Sequence, residues 1–205
     1  MYFNTTVGQQ GLMHQVLRPI LDRVMVVFVG LLFSLFSNLA SAEARFDISA
    51  VKVNLVDKVY YLNARIDYEL SDKVLEVMHK GVPVVVVLDI EFQRSRKFFW
   101  DEEIAQLVQR YQLEYHALTR QYLVTNLNSG SQHSFPTLEV ALTVLGTVVD
   151  LPALDRQLLE EKGQYIGLMR ASVDVGELPT PLRLRAYFSG DWHLSSEWYS
   201  WILPN

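Results

Sequence analysis

The chain has 205 residues, 50% of them hydrophobic, with 18 basic and 23 acidic side chains and a formal net charge of −5. That balance excludes a basic surface built for nucleic acid, and the apolar content excludes a disordered chain. The lack of any cysteine excludes disulfides, thiolate metal sites and the lipid-modified cysteine of a lipoprotein, so packing alone must stabilise the fold.

The first element in the chain has the grammar of a secretory signal peptide. Arg18 and Arg23 precede an uncharged apolar run from Val24 to Phe36, and Ser37 and Asn38 open a polar stretch ending in Ala40-Ser41-Ala42. A positive flank, an apolar core of about 13 residues and alanines at positions −3 and −1 of a cut between Ala42 and Glu43 satisfy translocation and cleavage in turn. The competing reading is an uncleaved anchor, because Val24 to Ala42 carries no charge and approaches the roughly 20 residues a spanning helix needs. Gly30, Ser34, Ser37, Asn38 and Ser41 weigh against it. Met13 is an alternative start that gives a shorter positive region.

Residues 43–205 are therefore expected as a single domain in the periplasm of a Gram-negative cell, or as the periplasmic domain of an inner-membrane anchored protein. Direct membrane contact is expected only through the N-terminal segment, if it stays uncleaved. Removing Arg18, Asp22 and Arg23 leaves 16 basic and 22 acidic residues in that domain, a net charge of about −6 that favours solubility over any polyanionic partner.

Period-two alternation dominates the domain beyond the cleavage point. Tyr60, Leu62, Ala64, Ile66, Tyr68 and Leu70 alternate with polar residues as in a half-buried strand. Phe46 and Ile48 are out of phase with Val51, Val53 and Leu55, which predicts a bulge at Ser49-Ala50 in a preceding strand and a tight turn at Asp57-Lys58. A short helix capped by Ser71 or Asp72 turns Val74, Leu75 and Met78 inward and stops at Gly81. Val84, Val86, Leu88, Ile90 and Phe92 line the next strand, whose other face passes from Val85 and Val87 to Asp89, Glu91 and Gln93. A turn is expected at Arg94-Ser95-Arg96-Lys97.

Three more strands are expected: Phe99 to Val108, one with Tyr111, Leu113, Tyr115 and Ala117 inward, and Gln121 to Leu127, closed by Asn128-Ser129-Gly130-Ser131. Leu138, Ala141, Leu142 and Leu145 then recur at helical spacing after Thr137, with Gly146 as the stop. A second short helix is expected from Ala153 to Lys162, then strands over Tyr165 to Val175 and Leu182 to Phe188. The expected fold is mainly β, an antiparallel β-sandwich of about seven or eight strands with two or three short helical insertions, behind an N-terminal signal or apolar helix. A closed barrel is the runner-up.

Chemistry leaves little trace in the residues. His79, His116, His133 and His193 lack ligand spacing, so no metal is expected, and no cofactor motif is present. Ser129, Ser131, Ser134, Ser195 and Ser196 lack the strand-turn-helix context of a nucleophile. Asp101, Glu102 and Glu103 form the densest carboxylate cluster, read as an exposed acidic patch before it is read as acid-base machinery. Arg94, Arg96 and Lys97 form a weak candidate anion site.

The strongest candidate surface is the C-terminal segment, where Trp192, Trp198 and Trp201 hold three of the four tryptophans and Tyr199 stands between them. Such residues either close a core or display anchors to a partner. Core closure is the first reading, with Trp192 buried and Trp198 or Trp201 partly displayed.

Several segments together resemble an uncharacterised exported family of Gram-negative bacteria known as domain of unknown function 4390. The resemblance rests on Leu113 through Val124, on Ser134-Phe135 with the helix to Leu145-Gly146, and on Leu178 through Leu184 leading to Asp191-Trp192 and Ser196-Glu197-Trp198. It brings no catalytic residue. Members are typically encoded beside a membrane sensor kinase of the nitrogen-regulation type and its response regulator, so the resemblance implies an accessory role in envelope sensing.

The first functional expectation is thus a non-enzymatic module that binds an envelope protein or membrane sensor component through a sheet edge or its aromatic end. The second is a periplasmic hydrolase or small-ligand binder using Asp101, Glu102, Glu103, His116 or Arg120 in a cleft. A third is a purely structural envelope protein.

Overall fold

Strands β1 (Phe46–Val56) and β2 (Val59–Tyr68) form the opening hairpin that the alternation predicts. The pairing register shifts between Ile48 and Ala50, and the extra residue lets Phe46, Ile48, Val51 and Val53 all face inward although their sequence phase changes. Asp57 and Lys58 have φ of 46° and 69°, the two left-handed residues of the turn whose twist matches a hairpin. The computed structural model describes residues 45–96, 100–160 and 163–204. The expected signal or apolar helix, with Ala40, Ala42 and Glu43, lies outside those residues, as does Lys97.

Helix α1 (Asp72–His79) follows, with the Ser71 hydroxyl accepting from Val74 N at 3.3 Å and Val74, Val77 and Met78 buried. Strand β3 (Val84–Arg94) buries the five apolar residues of its predicted inner face. Its partner overturns the expectation of two successive strands. Residues Glu102–His116 form one fifteen-residue strand, β4, paired along the whole of β3 from Arg94↔Glu102 to Val84↔Leu113. The one register shift, beside Phe92 and Gln93, falls at Ile104 and not at the expected break, and no Gly, Pro or Asn stands between Val108 and Tyr111 to make a turn.

Strand β5 (Gln121–Asn126) pairs back on β4. Beyond it Gly130, at φ 76°, turns the chain into β6 (Gln132–Phe135), a strand the sequence pattern missed because three of its four residues are polar and exposed. Helix α2 (Leu138–Leu145) is capped by Thr137 as expected and buries Ala141 and Leu145.

The second predicted helix, Ala153 to Lys162, is overturned. Residues Thr147–Asp155 form strand β7 on β2, and Arg156–Leu158 make only a 3-10 turn. Pro152, unfavourable in a central strand, is tolerated because β7 is an edge, where a missing N–H faces solvent. Strand β8 (Tyr165–Val173) buries every second residue from Tyr165 to Val173.

The strand expected over Leu182–Phe188 is a helix, α3 (Thr180–Ala186), with proline in its first turn. Its Leu182 and Ala186 sit i, i+4 on the inner side, while Leu184 and Phe188 are exposed rather than in the core. A run of seven residues fits period two and period 3.6 equally well, and Pro181 pre-sets the helical φ. Strand β9 (Tyr199–Ile202) ends the fold.

The result is mainly β, with three helices and two antiparallel sheets of order β1-β2-β7 and β6-β5-β4-β3-β8-β9, nine strands among the described residues. Neither sheet closes into a barrel. Residues from both sheets, from Phe46 to Leu203, and from all three helices share one hydrophobic cluster within the unit Glu43–Asn205.

Candidate functional site

The C-terminal aromatic segment splits between core and surface. Trp192 is 3% exposed in the turn after α3, which Ser71 ties to α1 by donating from Oγ to Asp191 O at 2.7 Å. Trp201 lies over Gly167 so closely that a Cβ there would stand 2.2 Å from the indole ring, and it meets Phe92 edge-on at 6.2 Å. Tyr199 is half-buried in β9 opposite Met169. Trp198 is 40% exposed, with the Arg170 guanidinium 4.8 Å from its ring centroid. This cation–π contact ties the indole to β8 while leaving part of it exposed.

The basic turn after β3 is filled by carboxylates. Arg94 bonds Glu102 at 2.6 Å and Glu160 at 2.6 Å, Arg96 also bonds Glu102, and the Arg96 backbone N donates to Asp101 Oδ1 at 3.1 Å. Hydrogen bonds from Arg94 and then Arg96 hold the Glu102 carboxyl below its ordinary pKa, and Glu102 in turn pushes the Arg94 guanidinium up. Both arginines thus carry internal counterions. Glu103 sits exposed opposite Gln93.

His116 and Arg120 belong to the opposite end of β4. His116 Nδ1 lies 3.0 Å from Thr119 Oγ1 and shapes the β4–β5 turn, where Arg120 has φ 55°. At about 3.3 Å per residue, β4 separates Glu102 from His116 by roughly 45 Å. The carboxylates and the histidine therefore do not converge.

Two arrangements escaped the sequence reading. His79 Nε2 lies 2.9 Å from the Tyr122 hydroxyl, and the Tyr115 ring packs edge-on to the imidazole at 4.9 Å. Burial, followed by the charge of Tyr115, raises the Tyr122 pKa. The Tyr115–Tyr122 pair follows from the β4–β5 register, but nothing local announces a histidine 43 residues away. The second is an open cleft of about 600 Å³ lined by Arg45, Asp47, Arg65, Asp67 and Glu69 of the opening hairpin and by Glu139 of α2. Asp47 and Asp67 are directly paired across the strands. Among the described residues no group of three or more His, Cys, Asp or Glu side chains is placed to hold a metal.

The four sheet edges differ more than the clefts do. On β7 the ladder is broken twice and carries Pro152 and Asp150, the latter at φ 45°. Strands β6 and β9 have four residues each, and Pro204 follows β9. Strand β1 has eleven residues, one irregularity and an uninterrupted stretch from Ala50 to Val56 with Lys52 as its single charge. Its hydrogen-bonded neighbour among the described residues is β2 alone. Short strands, prolines and bulges protect an edge from further pairing, and from Ala50 to Val56 β1 has none of them.

A mainly β domain of two antiparallel sheets with an aromatic C-terminal strand is the class of protein these observations define. The chain matches the family described as a domain of unknown function (DUF4390) over residues 43–202 and belongs to it. No curated protein and no solved structure matches the chain.

Proposed function

We propose that residues 43–205 form an exported, non-enzymatic binding module that takes an extended segment of an envelope protein, a membrane sensor component among them, as an added strand on β1. The two sheets are read as a β-sandwich. The observation that carries the proposal is the contrast between the long β1 edge, regular from Ala50 to Val56, and three blunted ones. A free edge offers main-chain donors and acceptors to any extended peptide, and side chains alternating along it supply selectivity. The half-buried Val51 and Val53 and the exposed Leu55 and Val56 would be covered by an incoming strand with apolar residues at every second position. Export is part of the proposal and rests on the Arg18 to Ala42 segment.

The test is photocrosslinking in cells from a reactive side chain at the exposed Asn54, with Gln132 on β6 as the control. Reproducible adducts to one envelope protein at position 54 alone, lost in Val53→Lys, are the expected result. No adduct, or equal adducts at both edges, overturns the proposal.

A further inference from the structure

We propose that α3 lies against an anionic phospholipid surface through Leu184, Tyr187 and Phe188. These side chains are 62%, 54% and 92% exposed. Leu184 lies on the helix, Tyr187 caps it and Phe188 follows in the turn, where its N donates to Arg185 O at 3.2 Å; their i, i+3, i+4 spacing sets the three away from Leu182 and Ala186, which pack on the core. Contiguous apolar side chains left open to water mark a surface that meets a partner, whereas a lone exposed leucine does not.

The chemistry of that partner follows from charge and from position. Between Leu178 and Gly190 the chain has Arg183 and Arg185 and no acidic residue, against a net charge of −5 for the whole. Arg183 donates from Nε and Nη2 to Leu178 O, while Arg185 is exposed. Basic residues beside Leu, Tyr and Phe are the composition of an element that lies in the headgroup layer, its aromatic rings at the boundary and its cations on phosphate. Spanning is out of the question for so short an element, and among the described residues no helix is long and apolar enough to cross a membrane.

The place of α3 in the fold points to the same occupant. Arg45, where the described chain begins, accepts from Glu69 N through its carbonyl at 3.2 Å. Two residues on, Ser71 bonds Asp191, which stands three residues after Phe188. Arg45, the first described residue, therefore lies at the end of the domain that carries α3, and in the sequence the apolar run from Val24 to Phe36 precedes it. Strand addition on β1 plays no part in this argument. The inference extends membrane contact beyond the N-terminal segment.

The absence of cysteine makes the test direct. A polarity-sensitive dye is attached to Phe188→Cys in the full chain and, separately, to Trp100→Cys. Trp100 is 95% exposed and lies at the far end of β3, roughly 26 Å of strand away from the α3 end. With vesicles of phosphatidylglycerol and phosphatidylethanolamine, the dye at 188 is expected to shift to the blue and to be quenched by bromine-bearing lipid tails, with no change at 100. Adding Arg185→Gln should weaken that insertion about fivefold at equal lipid. No response at 188, or equal responses at both sites, overturns the proposal. So does a blue shift without vesicles that grows with protein concentration, because a second copy would then be the occupant.

Discussion

Gly146 shows how a single residue joins two elements. Its φ is −79°, so left-handed freedom is not the reason for glycine. Ile66 N donates to Gly146 O at 2.8 Å, and a Cβ on Gly146 would stand 2.0 Å from Ile66 O. Gly146→Ala must push α2 away from β2, and the expected cost is about 3 kcal/mol, read as a lower urea midpoint with an unchanged slope. Glu102 supplies a second residue-level test. Its folded pKa lies below the ordinary carboxylate value because Arg94 and Arg96 bond its ionised form. That contribution is fully present above the unfolded value of about 4.3 and is lost as pH falls through the folded one. Glu102→Gln is therefore expected to lower the thermal midpoint at neutral pH and to leave it unchanged at strongly acidic pH, where both chains are neutral at this position.

At the scale of elements, the C-terminal segment is the decisive one. Removing everything after Ser189 strips Trp192, Leu194 and Leu203 from the core and uncovers Phe92 beneath Trp201. Each buried side chain of this size contributes roughly 1.5–3 kcal/mol, against a total stability of about 5–15 kcal/mol. The truncated domain is expected to lose its cooperative thermal transition, and an unchanged midpoint would show that the segment is an ornament. Elements were legible where one period ran unbroken between clear stops, as in β2, α1, β3, α2 and β8, or where a single phase change marked a bulge, as in β1. Three misreadings share a cause. Strand β6 is short and polar, β7 contains Pro152 and two irregularities, and α3 is short enough for two periods to fit. Only pairing with β5 or β2, or packing against the core, decides such segments.

The whole molecule explains which parts of the candidate site were legible. The aromatic tail is plain in the sequence, but its division into a buried Trp192 and a displayed Trp198 depends on β8 and Arg170. Arg94 and Arg96 suggest an anion site until Glu160, far along the chain, and Glu102 supply their counterions. The carboxylates and His116 are near one another along the chain and are held apart in space by an unbroken β4. A global titration offers a check on the shared core. Burial, aided by the charge of Tyr111, raises the Tyr68 pKa well above that of a free phenol. A raised phenol favours folding below its unfolded pKa of about 10 and ceases to do so as pH climbs through the folded value. Tyrosinate absorbance is therefore expected to rise in two stages on alkaline titration, with Tyr68 ionising only as the domain unfolds; a single stage counts against this burial.

The Tyr60 hydroxyl donates to Pro204 O at 3.0 Å, and Phe46 and Leu203 belong to one hydrophobic cluster. A ribosome making this chain delivers the first core residue long before the last. The interior stays open to water until β9 has been made, because that strand seals Phe92 and Met169. Nascent chains of this kind remain pliable until then, and closing pairs so distant in sequence is intrinsically slow. Under the export proposed above, that order of events leaves time to thread a narrow channel before folding.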